Sequence, residues 1–165
     1  MDSTITNLST EIEGIAITEL RQISDERGAV LHMLRCDDPE FTHFGECYFS
    51  EVMPGFIKAW KRHRVQTQNI AVPVGRIRLV IFDDRESSST KGKLQILELG
   101  RPDAYLRIKI PTGLWYGFAC ISPTPALLVN CADSPHTSDE SELSSVDDPS
   151  IPYAWNLNNS GAVDS

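Results

Sequence analysis

Between Gly55 and Gly75 the chain concentrates side chains able to do chemistry: Lys58, Lys61, Arg62, His63, Arg64 and Gln68. A second group follows at Pro111-Thr112-Gly113-Leu114-Trp115-Tyr116. An imidazole exchanges a proton near neutral pH. A phenol can donate one, and a lysine ammonium stabilises negative charge or becomes a base where its pKa is depressed. These types can bind an anion and move a proton. They are poor metal ligands as a set. Divalent ions in catalytic sites take about three imidazole, carboxylate or thiolate ligands, and here His63 alone qualifies. Lys61 has no lone pair while protonated, and Gln68 is a weak neutral donor. A site without a metal or any other cofactor is expected.

The charge distribution agrees with an anion pocket. The chain has 165 residues and a net charge of −8. Residues 1–50 hold 3 basic and 10 acidic side chains, residues 51–109 hold 12 and 6, and residues 110–165 hold none and 7. A basic segment inside an acidic chain suits a small anion better than nucleic acid, which needs a whole basic face. The plain alternative is a solvated basic strand edge. Composition fits one globular domain. No apolar run reaches the ~20 residues of a membrane span, and the N-terminus reads as no signal peptide. A cytoplasmic protein with no membrane partner is expected. Its cysteines at 36, 47, 120 and 131 form no C-x-x-C pair and read as thiols.

Many short strands must position these residues. Arg76–Phe82 and Leu106–Ile110 alternate basic with apolar residues, the pattern of half-buried strands. Ala29–Leu34 and Ala126–Val129 are short apolar runs. Turn clusters separate them at Asp25–Gly28, Asp83–Ser89 and Pro123–Pro125. This predicts an all-β sandwich or barrel. Ser134–Ser150, rich in Ser, Asp and Glu, reads as a loop with at most one helical turn. Ile151–Trp155 should dock back on the barrel, and residues 156–165 should fray.

The spacing Gly55-x5-Lys61-Arg62-His63-x4-Gln68-x6-Gly75 resembles the first cupin motif, G-x5-H-x-H-x3,4-E-x6-G, with Pro111-x-Gly113-x2-Tyr116 against P-x-G-x2-H. Lys61, Gln68 and Tyr116 stand where three metal ligands would be. Four pieces narrow the resemblance to the metal-free dTDP-4-dehydrorhamnose 3,5-epimerase family. Asp25-Glu26-Arg27-Gly28 resembles its D-x-R-G turn, and Gly55–Lys61 its G-v-l-R-G-L-H segment. Asp83–Gly92 is similar to D-x-R-x-x-S-x-T-x-G, and Ile110–Phe118 to I-P-x-G-x-x-H-G-F.

The resemblance implies a single-domain cupin jelly-roll barrel over residues 14–155, after an N-terminal extension at 1–13. It also implies a homodimer that exchanges strands, and a nucleotide-diphosphate 4-keto-6-deoxy sugar as substrate. A base would remove a proton beside the ketone, and an acid would return one to the other face. The catalytic positions depart from the family. Lys61 replaces the general-base His, Gln68 falls at the supporting Lys, and Asn130 falls at the catalytic Tyr. One reading is a rebuilt site: His63 as base, Tyr116 as acid and Lys61 holding the enolate, or Lys61 itself as base. Arg27, Lys58, Trp60, Gln68 and Asn130 would then bind substrate, with Asp147 or Asp148 either orienting His63 or capping a turn before Pro149, and with pairing to Asp25 as the plain reading of Arg27. The alternatives are a sugar-nucleotide 3,4-ketoisomerase and a non-catalytic nucleotide-sugar-binding cupin.

Overall fold

A computed structural model describes residues 10–157. In chain order its strands are β1 (Ala16–Glu19), β2 (Gln22–Asp25), β3 (Gly28–Leu31), β4 (Glu46–Val52), β5 (Ile57–His63), β6 (Gln68–Val74), β7 (Arg76–Phe82), β8 (Leu94–Gly100), β9 (Leu106–Ile110), β10 (Trp115–Cys120), β11 (Ala126–Ala132) and β12 (Ser141–Leu143). They form two five-stranded antiparallel sheets, ordered β1-β9-β6-β11-β4 and β12-β5-β10-β7-β8, plus the β2–β3 hairpin. This is the all-β jelly roll of the cupins, in one domain. No helix among the described residues is long and apolar enough to cross a membrane.

Strand alternation builds the core. On β7, Ile77, Leu79 and Ile81 turn inward, while Val80 and Phe82 join an outer cluster. The inner cluster draws on Ile70, Val72, Ile108, Phe118 and Leu128 from both sheets. Ile12, in the stretch read as an extension, is buried in this core too. The outer cluster seats Trp60 and Trp115 under Ile151, Tyr153 and Trp155, so the C-terminal segment docks as its apolar residues predict. Residues 158–165, most of the expected tail, lie outside the described residues. Ala29–Leu34 is a strand only as far as Leu31. Ser134–Ser150 differs from the expected loop. It contains β12, which pairs with β5 through Ser141↔His63 and Leu143↔Lys61. Three residues between loops carry too little periodicity to register as a strand.

The Asp83–Gly92 motif is a structural staple. Asp83 is fully buried. It accepts hydrogen bonds from Arg85 N at 3.0 Å, Arg85 Nε at 2.9 Å, Ser88 Oγ at 2.6 Å and Thr90 Oγ1 at 2.7 Å. Burial opposes ionisation, but these donors outweigh it and hold the carboxyl well below the usual range. Arg85 also donates to the Glu13 carbonyl at 2.8 Å, tying the N-terminal segment to this loop. A carboxyl whose folded pKa is depressed stabilises the fold above its unfolded pKa of ~4, and that stabilisation fades as pH falls further. Asp83→Asn should therefore cost about 2–4 kcal/mol near neutral pH. Urea denaturation should show this gap closing below pH ~4.

Candidate active site

A cavity of about 410 Å3 opens between the two sheets, within the ~300–1,000 Å3 of small-molecule sites. Tyr48, Ser50 and Asn130 line it from β4 and β11. Lys58, Lys61, Tyr116 and Phe118 line it from β5 and β10. A β-bulge decides which β5 residues reach it. Tyr116 pairs with Lys61 and Phe118 with Lys58, so three steps on β5 oppose two on β10. The extra residue lets Ala59 and Trp60 both face the outer cluster, and Lys58 and Lys61 both reach the cavity. Gly117 permits the close approach of the two strands, since a Cβ there would lie 2.4 Å from that of Ala59.

Behind Tyr116 runs a buried chain of polar groups. His63 Nε2 is 2.9 Å from the Tyr116 hydroxyl, and His63 Nδ1 is 2.5 Å from Glu140 Oε1. His63, Tyr116 and Glu140 are all buried. Burial lowers the pKa of His63. Glu140 opposes that shift and the Lys61 ammonium adds to it. Burial raises the Tyr116 phenol far above its ordinary value, so it stays protonated. Lys61 has no carboxylate partner among the described residues. The site thus holds a neutral imidazole behind a protonated phenol, beside an uncompensated cation.

A second chain of amides lies under β4 and β11. Gln66 Nε2 donates to the Ser134 carbonyl at 2.7 Å and to Glu46 Oε1 at 3.2 Å. Gln68 Nε2 donates to Gln66 Oε1 at 3.2 Å. Asn130 Nδ2 donates to Gln68 Oε1 and, at 2.9 Å, to the Tyr48 hydroxyl. Asn130 Oδ1 accepts from the Asn69 backbone N–H at 3.2 Å.

The residues singled out in the sequence are placed unequally. Lys61, Tyr116, Lys58 and Asn130 come together around the cavity. His63 does not line it but touches it through Tyr116. Gln68 is buried behind Asn130. Lys58 Nζ donates to Ser50 Oγ at 3.0 Å. Trp60 adds to the wall, but its ring packs on Tyr153 and Trp155, with centroids 6.3 and 5.4 Å away. Arg27 lies outside the cavity, on the β2–β3 turn, with its side chain 84% exposed and paired to Asp25. Asp147 and Asp148 do not orient His63. Asp148 accepts from Ser150 N at 2.8 Å, and Asp147 bonds Ser145. The orienting carboxylate is Glu140, which the β12–β5 pairing brings beside His63. Nothing in the mixed residues of β4 marks Tyr48 as a cavity residue in the sequence. No three His, Cys, Asp or Glu side chains converge among the described residues. The three substituted metal-ligand positions are engaged otherwise: Lys61 lines the cavity, and Gln68 and Tyr116 are hydrogen-bonded.

The chain is similar to several known proteins. The profile of the dTDP-4-dehydrorhamnose 3,5-epimerase family matches residues 9–164. The spore coat polysaccharide biosynthesis protein SpsL of Bacillus subtilis is 30% identical over 147 residues, 88% of this chain and 97% of its own. The probable low-salt glycan biosynthesis epimerase Agl13 of Haloferax volcanii is 35% identical over 126 residues, 72% of this chain and 77% of its own. The crystal structure of a dTDP sugar isomerase from Desulfovibrio desulfuricans G20 matches with a TM-score of 0.86 at 54% identity, covering 88% of this chain and 92% of that one.

The depressed pKa of His63 has a consequence for stability. Below pH ~6.5 the unfolded chain takes up a proton that folded His63 resists, so acid favours unfolding. His63→Gln removes this dependence along with two buried hydrogen bonds. The variant should lose about 2–3 kcal/mol at pH 8. Urea midpoints measured from pH 8 to 5 should show its gap to the wild type narrowing below pH ~6.5.

Proposed function

The chain belongs to the dTDP-4-dehydrorhamnose 3,5-epimerase family, and on that premise we propose that it epimerises a nucleotide-diphosphate 4-keto-6-deoxy sugar without a cofactor, using a proton-transfer site rebuilt from residues unlike the family's. The observation that carries the reading is the Tyr116–His63–Glu140 chain opening on a cavity that also holds Lys61. A ketone acidifies the hydrogens on its neighbouring carbons. Their removal needs an acceptor of tuned basicity and a group to hold the enolate oxygen. Neutral His63, fixed by Glu140, supplies basicity through Tyr116. Lys61, lacking a carboxylate partner, holds the enolate.

Lys58 at the cavity wall supplies charge for the diphosphate, with Asn130 and the Trp60 wall shaping the sugar subsite. Gln68 supports Asn130 from behind. A homodimer completes the reading. β4 is a sheet edge in this chain, and exposed Ile23, Val30, Phe49 and Met53 lie on the hairpin and on or beside that edge. In a strand-exchanged dimer the β2–β3 turn would carry Arg27 to a second chain's cavity. A cytoplasmic location follows from the nucleotide-activated substrate, and neither nucleic acid nor membrane has a part in it.

Proton NMR of dTDP-4-keto-6-deoxyglucose in D2O tests this reading. The wild type should exchange the C3 or C5 proton for deuterium. Tyr116→Phe and Lys61→Ala should each slow exchange by about 100-fold or more. An inert wild type that is nonetheless stabilised against heat by the same sugar nucleotide would make the chain a binding protein instead.

A further inference from the structure

Two phenols line the cavity from opposite sheets, Tyr116 on β10 and Tyr48 on β4. Their hydrogen bonds run in opposite senses. A carboxylate only accepts, so Glu140 requires the His63 proton on Nδ1 and leaves Nε2 with a lone pair. Tyr116 must then donate to Nε2. Its oxygen keeps lone pairs with which to accept, on a residue that lines the cavity.

The sense of the other chain is set independently from both ends by backbone groups, whose roles are invariable. The Ser134 carbonyl accepts from Gln66 Nε2, so Gln66 Oε1 accepts from Gln68 Nε2, and Gln68 Oε1 accepts from Asn130 Nδ2. At the far end, the Asn69 N–H donates to Asn130 Oδ1, which again leaves Nδ2 as the donor. Asn130 Nδ2 therefore donates to the Tyr48 oxygen. The Tyr48 proton has no acceptor among the described residues and is free to point into the cavity.

We propose that Tyr48 is a catalytic residue, the proton donor acting on the substrate face opposite Tyr116; this rests on the epimerisation reading above. The Tyr116 oxygen takes the hydrogen from the carbon beside the ketone as its own proton passes to His63 Nε2. The C–H electron pair becomes the enolate. The Tyr48 O–H bond then breaks, and its proton joins the same carbon from the other side. The enolate pair forms the new C–H bond, and the ketone is restored. The Tyr48 phenolate is held by the Asn130 N–H and recovers a proton from water, to which Tyr48 is open at 36% exposure. The imidazolium returns its proton through Tyr116 to water. Burial raises the Tyr48 pKa, which keeps the donor protonated at neutral pH. Lys61 cannot take this role, because it pairs with Tyr116 on the same wall.

Tyr48→Phe removes the proton and the oxygen that accepts from Asn130 Nδ2, which keeps its bond to Gln68 Oε1. With dTDP-4-keto-6-deoxyglucose in D2O, the variant should still exchange a ring proton within about 10-fold of the wild-type rate. Its inverted product should fall by about 100-fold or more, while Tyr116→Phe loses both. A merely structural Tyr48 would depress exchange and inversion together. Inversion by Tyr48→Phe at the wild-type rate overturns the inference and leaves the epimerase reading standing. A wild type that neither exchanges nor inverts overturns both. Should Tyr48→Phe fold poorly, the wild type can be given substrate deuterated at the exchanging carbon in H2O. A two-sided site gives inverted product carrying solvent hydrogen from the first turnover. Return of the substrate's own deuterium to the inverted centre marks a single base and overturns the inference.

Discussion

The contact between the Glu140 carboxylate and His63 Nδ1 governs the polarity of the cavity wall that carries Tyr116. A carboxylate removed from water is costly unless it accepts hydrogen bonds. Here it accepts from the imidazole and, at 3.5 Å, from the Gln66 backbone N–H. That arrangement selects one tautomer of His63. The tautomer fixes the direction of the Tyr116 hydroxyl, and the hydroxyl fixes which kind of lone pair or proton the cavity presents. None of this survives unless β12 is laid against β5, because Glu140 immediately precedes β12.

The scaffold's other features hold that contact in place. The bulge in β5 puts Lys58 and Lys61 on the cavity side while Trp60 anchors the outer cluster. Trp60 Nε1 donates to the Val146 carbonyl at 3.3 Å, and Trp60 N and O bond the Ser144 backbone at 3.0 Å each. The segment that follows Glu140 is thus pinned against β5. Arg62 turns to the outer side, where it stacks 4.4 Å over Trp115 and pairs with Asp84 and Glu142. Its charge is spent on structure, leaving Lys58 and Lys61 as the cations of the cavity wall.

The departures from the cupin motif form two connected sets. Lys61, Tyr116 and His63 lie on one sheet with Glu140 just before its edge strand. Gln68 and Asn130 lie on the other with Tyr48. Neutral amides in the second set can satisfy one another in a buried row without a counter-ion, which charged or metal-ligating groups there could not do. The substitutions are intelligible as a network, and a single one would leave a buried polar group without its partner.

Most of the barrel was legible in the sequence, because strand alternation and turn residues are local signals. Arg76–Phe82 and Leu106–Ile110 became β7 and β9 with the bounds their alternation implies. Lys61, His63 and Tyr116 could be named because the glycines and proline around them mark the frame of the motif. Tyr48, Glu140 and β12 could not. Five carboxylates lie between residues 139 and 148, and their types are too alike to show which one meets His63. By itself the sequence determined most of the strands and the motif residues near the cavity, since alternation and turn residues are local signals; the bulge that brings both Lys58 and Lys61 to the cavity breaks the period-two pattern. The tertiary structure alone decided which carboxylate orients the imidazole and which way each phenol points. Those depend on pairings between residues up to 82 positions apart, and on hydrogen-bond directions that exist only once the sheets have closed.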